Sequence, residues 1–133
     1  MSDSARKRPP ALTNAKGPPA YTVQGHIWIE GTEGTFLGVG RITLLVRIKE
    51  FGSITRAAKS LKMSYRKAWE LVESMNRQSP TPLVTACAGG KNGGGATLTG
   101  AGEKAIETFR KLDSEFKRFR EREGRRVGGT GKR

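Results

Sequence analysis

Ser53 and Ser64 are both placed to start helices, and they stand eleven residues apart. A serine before an amphipathic run accepts a backbone N–H bond and starts a helix, so this spacing leaves room for one short helix and one tight turn. Gly52 stops the segment before Ser53. In that segment Ile42, Leu45, Val46 and Lys49 recur at helical spacing, and Leu44, Ile48 and Phe51 widen the apolar side. After Ser53, residues Ile54, Ala57, Ala58 and Leu61 share a face, and Lys62-Met63 form the turn. After Ser64 the pattern predicts a helix from Tyr65 to about Gln78 that buries Ala68, Leu71, Val72 and Met75, with Trp69 packed beside them in the core. Pro80 and Pro82 end it, since proline lacks the donor a helix needs.

The flanks read as a small β component and a long helix. Tyr21 to Gly31 alternates, with Val23, Ile27 and Ile29 on one face, which predicts a strand; Gly31, Gly34, Gly38 and Gly40 then break the chain into turns. Leu83 to Cys87 and Ala96 to Leu98 can pair as a hairpin around a glycine-rich loop, with Cys87 as a small buried strand residue. Thr99 caps a helix to about Glu123 in which Ala105, Phe109, Leu112, Phe116 and Phe119 alternate steps of four and three, a heptad seam. A helix this long overhangs so small a domain, so Phe109, Leu112, Phe116 and Phe119 are expected to face a second copy of the chain. The fold class is mainly α with a small β component, a winged helix-turn-helix with a long C-terminal dimerisation helix. Residues 1–20 read as a disordered basic arm, 21–123 as the domain with its dimerisation helix at about 99–123, and 124–133 as a disordered basic tail.

Charge narrows the partner. The chain has 25 Lys and Arg against 12 Asp and Glu, a net +13, with seven of those charges in residues 1–20 and 124–133 and six in 38–78. Such an excess attracts a polyanion. A membrane surface is the poorer match, because the cations do not line a helix with an apolar back, and no apolar run reaches eighteen residues. The helix after Ser64 opens with Tyr65-Arg66-Lys67. In a helix-turn-helix that end is free to enter a major groove. Arg66 suits guanine bidentately, Lys67 suits base or phosphate, Ser64 or the helix N-terminus suits a phosphate, and Tyr65 is expected to touch DNA. Ser53 is first a cap. For Thr55 and Arg56, phosphate contact and plain exposure stay equally open. Lys91 and Asn92, at the tip of the glycine-rich loop, are expected to reach phosphate or minor groove.

The run Gly52-Ser-Ile-Thr-Arg-Ala-Ala-Lys-Ser-Leu-Lys-Met-Ser-Tyr-Arg-Lys-Ala-Trp-Glu-Leu-Val-Glu-Ser-Met-Asn76 resembles the helix-turn-helix of the ModE family of molybdenum-responsive bacterial regulators, and is also similar to the broader LysR type. Pro82-Leu-Val and Gly89-Gly-Lys-Asn-Gly-Gly-Gly-Ala-Thr-Leu-Thr99 resemble that family's wing. The resemblance spans roughly residues 21–120. It implies a winged fold, bacterial origin, major-groove binding and dimerisation through the flanking helices. Family members carry C-terminal domains that hold molybdate; this chain stops before them, so molybdate binding is not expected of it alone.

These readings converge on a sequence-selective, homodimeric transcription regulator of double-stranded DNA, cytoplasmic and nucleoid-associated. The rivals are a non-selective nucleoid or RNA-binding basic protein and an interaction adaptor. Enzyme chemistry is not expected: no Cys–His or Ser–His–Asp set stands out, no cofactor fingerprint is present, and His26 alone makes no metal site. The single cysteine allows no intrachain disulfide.

Overall fold

The computed structural model describes residues 20–87 and 95–129. These fall into two compact units, His26–Lys117 and a second drawn from residues up to Gly25 together with Arg118 onward.

The first unit opens with a hairpin of β1 (Ile29–Gly31) and β2 (Gly34–Leu37). The strand expected over Tyr21–Gly31 is therefore cut to its last three residues, and the glycine-broken stretch after it holds a second strand. A strand needs a neighbour for its backbone groups, and β2 is only long enough to pair with the end of the alternating run. Gly34, at φ 97°, makes the left-handed step after the turn at Thr32-Glu33. The hairpin is hooked to the far end of the third helix. Gln78 accepts from Glu33 N–H at 3.0 Å and donates to Thr35 O at 2.9 Å, and Arg77 pairs with Glu33 at 3.0 Å. A Cβ at Gly31 would overlap the Gln78 amide.

Three helices follow: α1 (Val39–Phe51), α2 (Ile54–Ser60) and α3 (Tyr65–Gln78). Gly52 ends α1 at φ 65°, donating to Ile48 O at 2.8 Å, the left-handed stop its position predicts. Leu44, Leu45 and Ile48 of α1, Ala57 and Ala58 of α2, and Ala68, Val72 and Met75 of α3 are buried together. Three alanines in that set let backbones approach closely, and α1–α2 and α2–α3 are in contact. Arg41 ties α1 to α3 by donating to Ser74 Oγ at 3.0 Å, and its partial burial lowers its pKa from the free value.

β3 (Val84–Cys87) and β4 (Gly95–Leu98) form the second hairpin, in antiparallel register from Val84↔Leu98 to Cys87↔Gly95. Cys87 is exposed rather than buried. Only Val84 of β3 reaches the core, and the outer end of a two-stranded ribbon has water beside it. Asn76 of α3 holds the hairpin base. Its Oδ1 accepts from Leu83 N–H at 2.8 Å and Val84 N–H at 3.2 Å, and its Nδ2 donates to Val84 O at 2.9 Å. On the other side Ala96 N–H donates to Gly52 O at 3.0 Å.

Thr99 then caps α4 (Gly100–Val127), its Oγ1 accepting from Gly102 N–H at 3.0 Å and donating to Pro82 O at 2.7 Å. α4 runs four residues past the expected end at Glu123. Ala105, Ile106 and Phe109 belong to the core, and Phe109 is only 2% exposed. This corrects the expectation for Phe109: its side chain is enclosed within its own chain rather than exposed on the helix face expected to meet a second copy. In the second unit the Tyr21–Val23 backbone passes close to Gly124 of α4.

Asn76→Ala removes all three wing bonds and leaves two N–H groups to find new acceptors. It is expected to lower unfolding free energy by about 1–3 kcal/mol, measured by urea denaturation.

Candidate nucleic-acid interface

The candidate interface is built by two serine caps. Ser53 Oγ accepts from Arg56 N–H at 3.1 Å, and Ser64 Oγ accepts from Lys67 N–H at 3.0 Å. Each bond satisfies one of the donors that a helix leaves open at its start. The hydroxyls assigned to DNA are therefore already accepting cap bonds, and their O–H donors remain the groups able to reach a phosphate. The amides of Tyr65 and Arg66 have no intrahelical acceptor by position.

Between the caps, α2 ends at Leu61, whose N–H reaches Ala57 O and Ala58 O. Lys62 stands at φ 55° and is the one left-handed non-glycine among the described residues. That conformation costs roughly 1 kcal/mol for a residue with a Cβ. Turns of this motif often use glycine; here the position is a lysine. From the sequence Lys62 is a turn residue; its place between Lys59 and Arg66 also makes it part of a cationic run.

That run is exposed from end to end. Thr55, Arg56, Lys59, Lys62, Tyr65, Arg66 and Lys67 all face solvent. Arg56 lies over the Phe51 ring at 5.3 Å, which orients it without neutralising it. Ion pairs of this unit lie elsewhere, among them Arg47–Glu50, Lys49–Glu103 and Arg77–Glu33. Among the described residues no carboxylate pairs with Arg56, Lys59, Lys62, Arg66 or Lys67. Five cations in succession on α2, the turn and the first turn of α3 thus lie without a carboxylate partner among the described residues. Further along α3, Glu70 and Glu73 are exposed acids.

Trp69 corrects another expectation. It is 41% exposed, and with Tyr65, 52% exposed, it lines a cleft between α3 and the β3–β4 hairpin. One turn apart, the two rings lie on the flank of α3 that faces the β3–β4 hairpin, and both stay exposed among the described residues. Lys91 and Asn92 lie outside the described residues.

Residues 40–103 match the family described as bacterial regulatory helix-turn-helix proteins of the lysR family. The chain is 45% identical over 83 residues to the molybdenum transport protein ModE of Azotobacter vinelandii, covering 62% of this chain and 31% of that protein. It is 44% identical over 81 residues to the molybdenum-pterin-binding protein MopB of Rhodobacter capsulatus, covering 61% and 30%. Against the DNA-binding transcriptional dual regulator ModE of Escherichia coli K12 it is 44% identical over 69 residues, covering 52% and 26%. The chain carries a ModE-like helix-turn-helix domain. It spans under a third of the length of each of these three relatives. With the two hairpins and α4 around the three-helix core, the ModE-like domain has the winged form expected from its sequence. Among the described residues no helix is long and apolar enough to cross a membrane, and no group of three or more His, Cys, Asp or Glu is placed to hold a metal ion.

Ser64→Ala removes the α3 cap. It is expected to cost about 1 kcal/mol of stability and to raise hydrogen exchange at Lys67 N–H above that of the helix centre, read by NMR.

Proposed function

We propose that this chain is a sequence-selective DNA-binding transcription regulator that acts as a homodimer. The observation that carries the reading is the run of five exposed cations without carboxylate partners, ending in the first turn of α3. A major groove admits one helix, and Arg66 at its leading end can give two parallel hydrogen bonds to guanine O6 and N7. Lys67 and Tyr65 flank it. Ser64, Arg56, Thr55 and Lys62 stand where phosphates on either side of the groove would pass, and Ser53 acts through the cap of α2. Lys91 and Asn92 of the wing are proposed for phosphate or minor groove. Residues 1–20 and 124–133 add attraction that is independent of sequence. The relatives whose names record DNA binding and transcriptional regulation support the same assignment.

Glu70 and Glu73 favour selective over non-selective binding. A surface evolved only to hold phosphates has no use for two exposed acids on its reading helix, because like charges repel. A helix that reads bases can carry them, since carboxylates accept from the cytosine amino group. Dimerisation is assigned to Leu112, Phe116 and Phe119 of α4. Leu112 and Phe119 are both 43% exposed, and Phe116 is half-buried. Two copies joined this way would read half-sites spaced by about one helical turn or a multiple of it.

Selection from a random duplex pool should yield one enriched motif. Arg66→Ala with Lys67→Ala should lose footprint protection of that motif. It should also reduce the slope of log K against log salt by about 1 for each phosphate contact removed. Equal protection of the same site by the double variant would refute the reading. Leu112→Glu with Phe119→Glu should give a monomer by sedimentation equilibrium, with site affinity falling by roughly 100-fold or more as the second half-site is lost.

A further inference from the structure

The cleft between α3 and the β3–β4 hairpin has a volume of about 400 Å³. Tyr65 and Trp69 form one wall, Thr85 and Ala86 the other, and Ile54 and Val72 lie among its lining residues. Asn76 also lines it, but its amide is already bonded to the hairpin backbone. Among the described residues no charged side chain lines the cleft, yet α2 and α3, which help form it, carry Arg56, Arg66 and Lys67.

An apolar slot set into a cationic surface matches one strand of a duplex, whose anionic phosphates alternate with apolar deoxyribose faces. Topology gives the same answer. If α3 enters a major groove and the wing reaches toward the neighbouring minor groove, the strand dividing those grooves has to pass between helix and wing. We propose that this cleft seats the deoxyribose face of that strand, with the Trp69 and Tyr65 rings against the sugar. This rests on the DNA-binding reading above. It adds Trp69 as a contact residue and assigns the cleft to the backbone strand rather than to a small ligand.

The chain has two tryptophans, so Trp28→Phe leaves Trp69 as the sole reporter. The full chain carrying Trp28→Phe is titrated with the selected duplex, and saturation is fixed independently by anisotropy of a labelled strand. Access of acrylamide to Trp69 should be high in the free protein and fall on saturation. In the parent chain Trp69→Ala should weaken binding by roughly tenfold with the salt slope unchanged, because no counterion is released at an apolar contact. Trp69→Phe should recover most of that loss. The Trp69→Ala penalty should be the same on a duplex with deoxyuridine in place of thymidine.

Trp69 left fully open to acrylamide at saturation would overturn the proposal. So would a penalty that vanishes on the deoxyuridine duplex, which would place Trp69 on a thymine methyl instead of the backbone. Protection already present without DNA, as a second copy or a segment of this chain in the cleft would give, overturns it too. A chain that binds no duplex at any salt fails the DNA reading itself, and the assignment of the cleft falls with it; that result is distinct from saturated binding with Trp69 still exposed.

Discussion

Through three hydrogen bonds at 2.8–3.2 Å, the Asn76 amide fixes the base of the wing to the last two turns of α3. It is half-buried, so losing one partner would leave the others short of water as well as of protein. The remaining geometry hangs on that junction. Leu83, whose N–H is one of those bonds, accepts from Thr99 N–H at 2.9 Å through its carbonyl and so fixes where α4 begins. Gly102 sits so close to Leu83 O and Leu98 that a Cβ there would force the helix away. One amide side chain thereby registers the reading helix, the wing and the start of the long helix against one another, and the cleft beside Trp69 is the space left where helix and hairpin diverge from it.

The other end of α3 obeys the opposite demand. Its small buried residue Ala68 is packed among the alanines of α2, while Tyr65, Arg66 and Lys67 stay in water. Packing therefore secures α3 from its second turn onward, and the first turn is held chiefly by the Ser64 cap and the turn at Lys62. Leaving the charges of that turn uncompensated costs some self-repulsion. It gives the chain a cationic edge whose positions are set by helix geometry, apart from the charge carried by residues 1–20 and 124–133. The distinction matters for selectivity: tails attract any phosphate backbone, whereas a fixed guanidinium can distinguish one base edge from another.

Much of this was legible in the sequence because it rests on local rules. Gly52, Ser53, Ser64 and Thr99 mark helix boundaries through backbone chemistry confined to a few residues, and each boundary lies where that chemistry puts it. What depended on distant partners was not legible. Tyr21 to Gly31 alternates like a strand, but its length is set by β2, whose few residues lie in a stretch rich in glycine. Phe109 fits a heptad seam as well as Phe116 does, and only tertiary packing into the core decides that Phe109 is enclosed while Phe116 is half-buried. Ile106, outside the seam, packs in the core for the same reason. Trp69 and Cys87 are residue types usually buried, and here both stay exposed, Trp69 beside a cleft and Cys87 at the end of β3.

DNA recognition as proposed depends on the exposed first turn of α3 being the part that meets the duplex. Titrating uniformly 15N-labelled protein with a selected duplex and following backbone amide shifts tests this most directly. The largest shifts are predicted at Ser64 to Lys67, with smaller ones at Thr55 and Arg56 and little change on the exposed face of α1. Shifts confined to residues 1–20 and 124–133, with the amides of Ser64 to Lys67 unmoved at saturation, would contradict it.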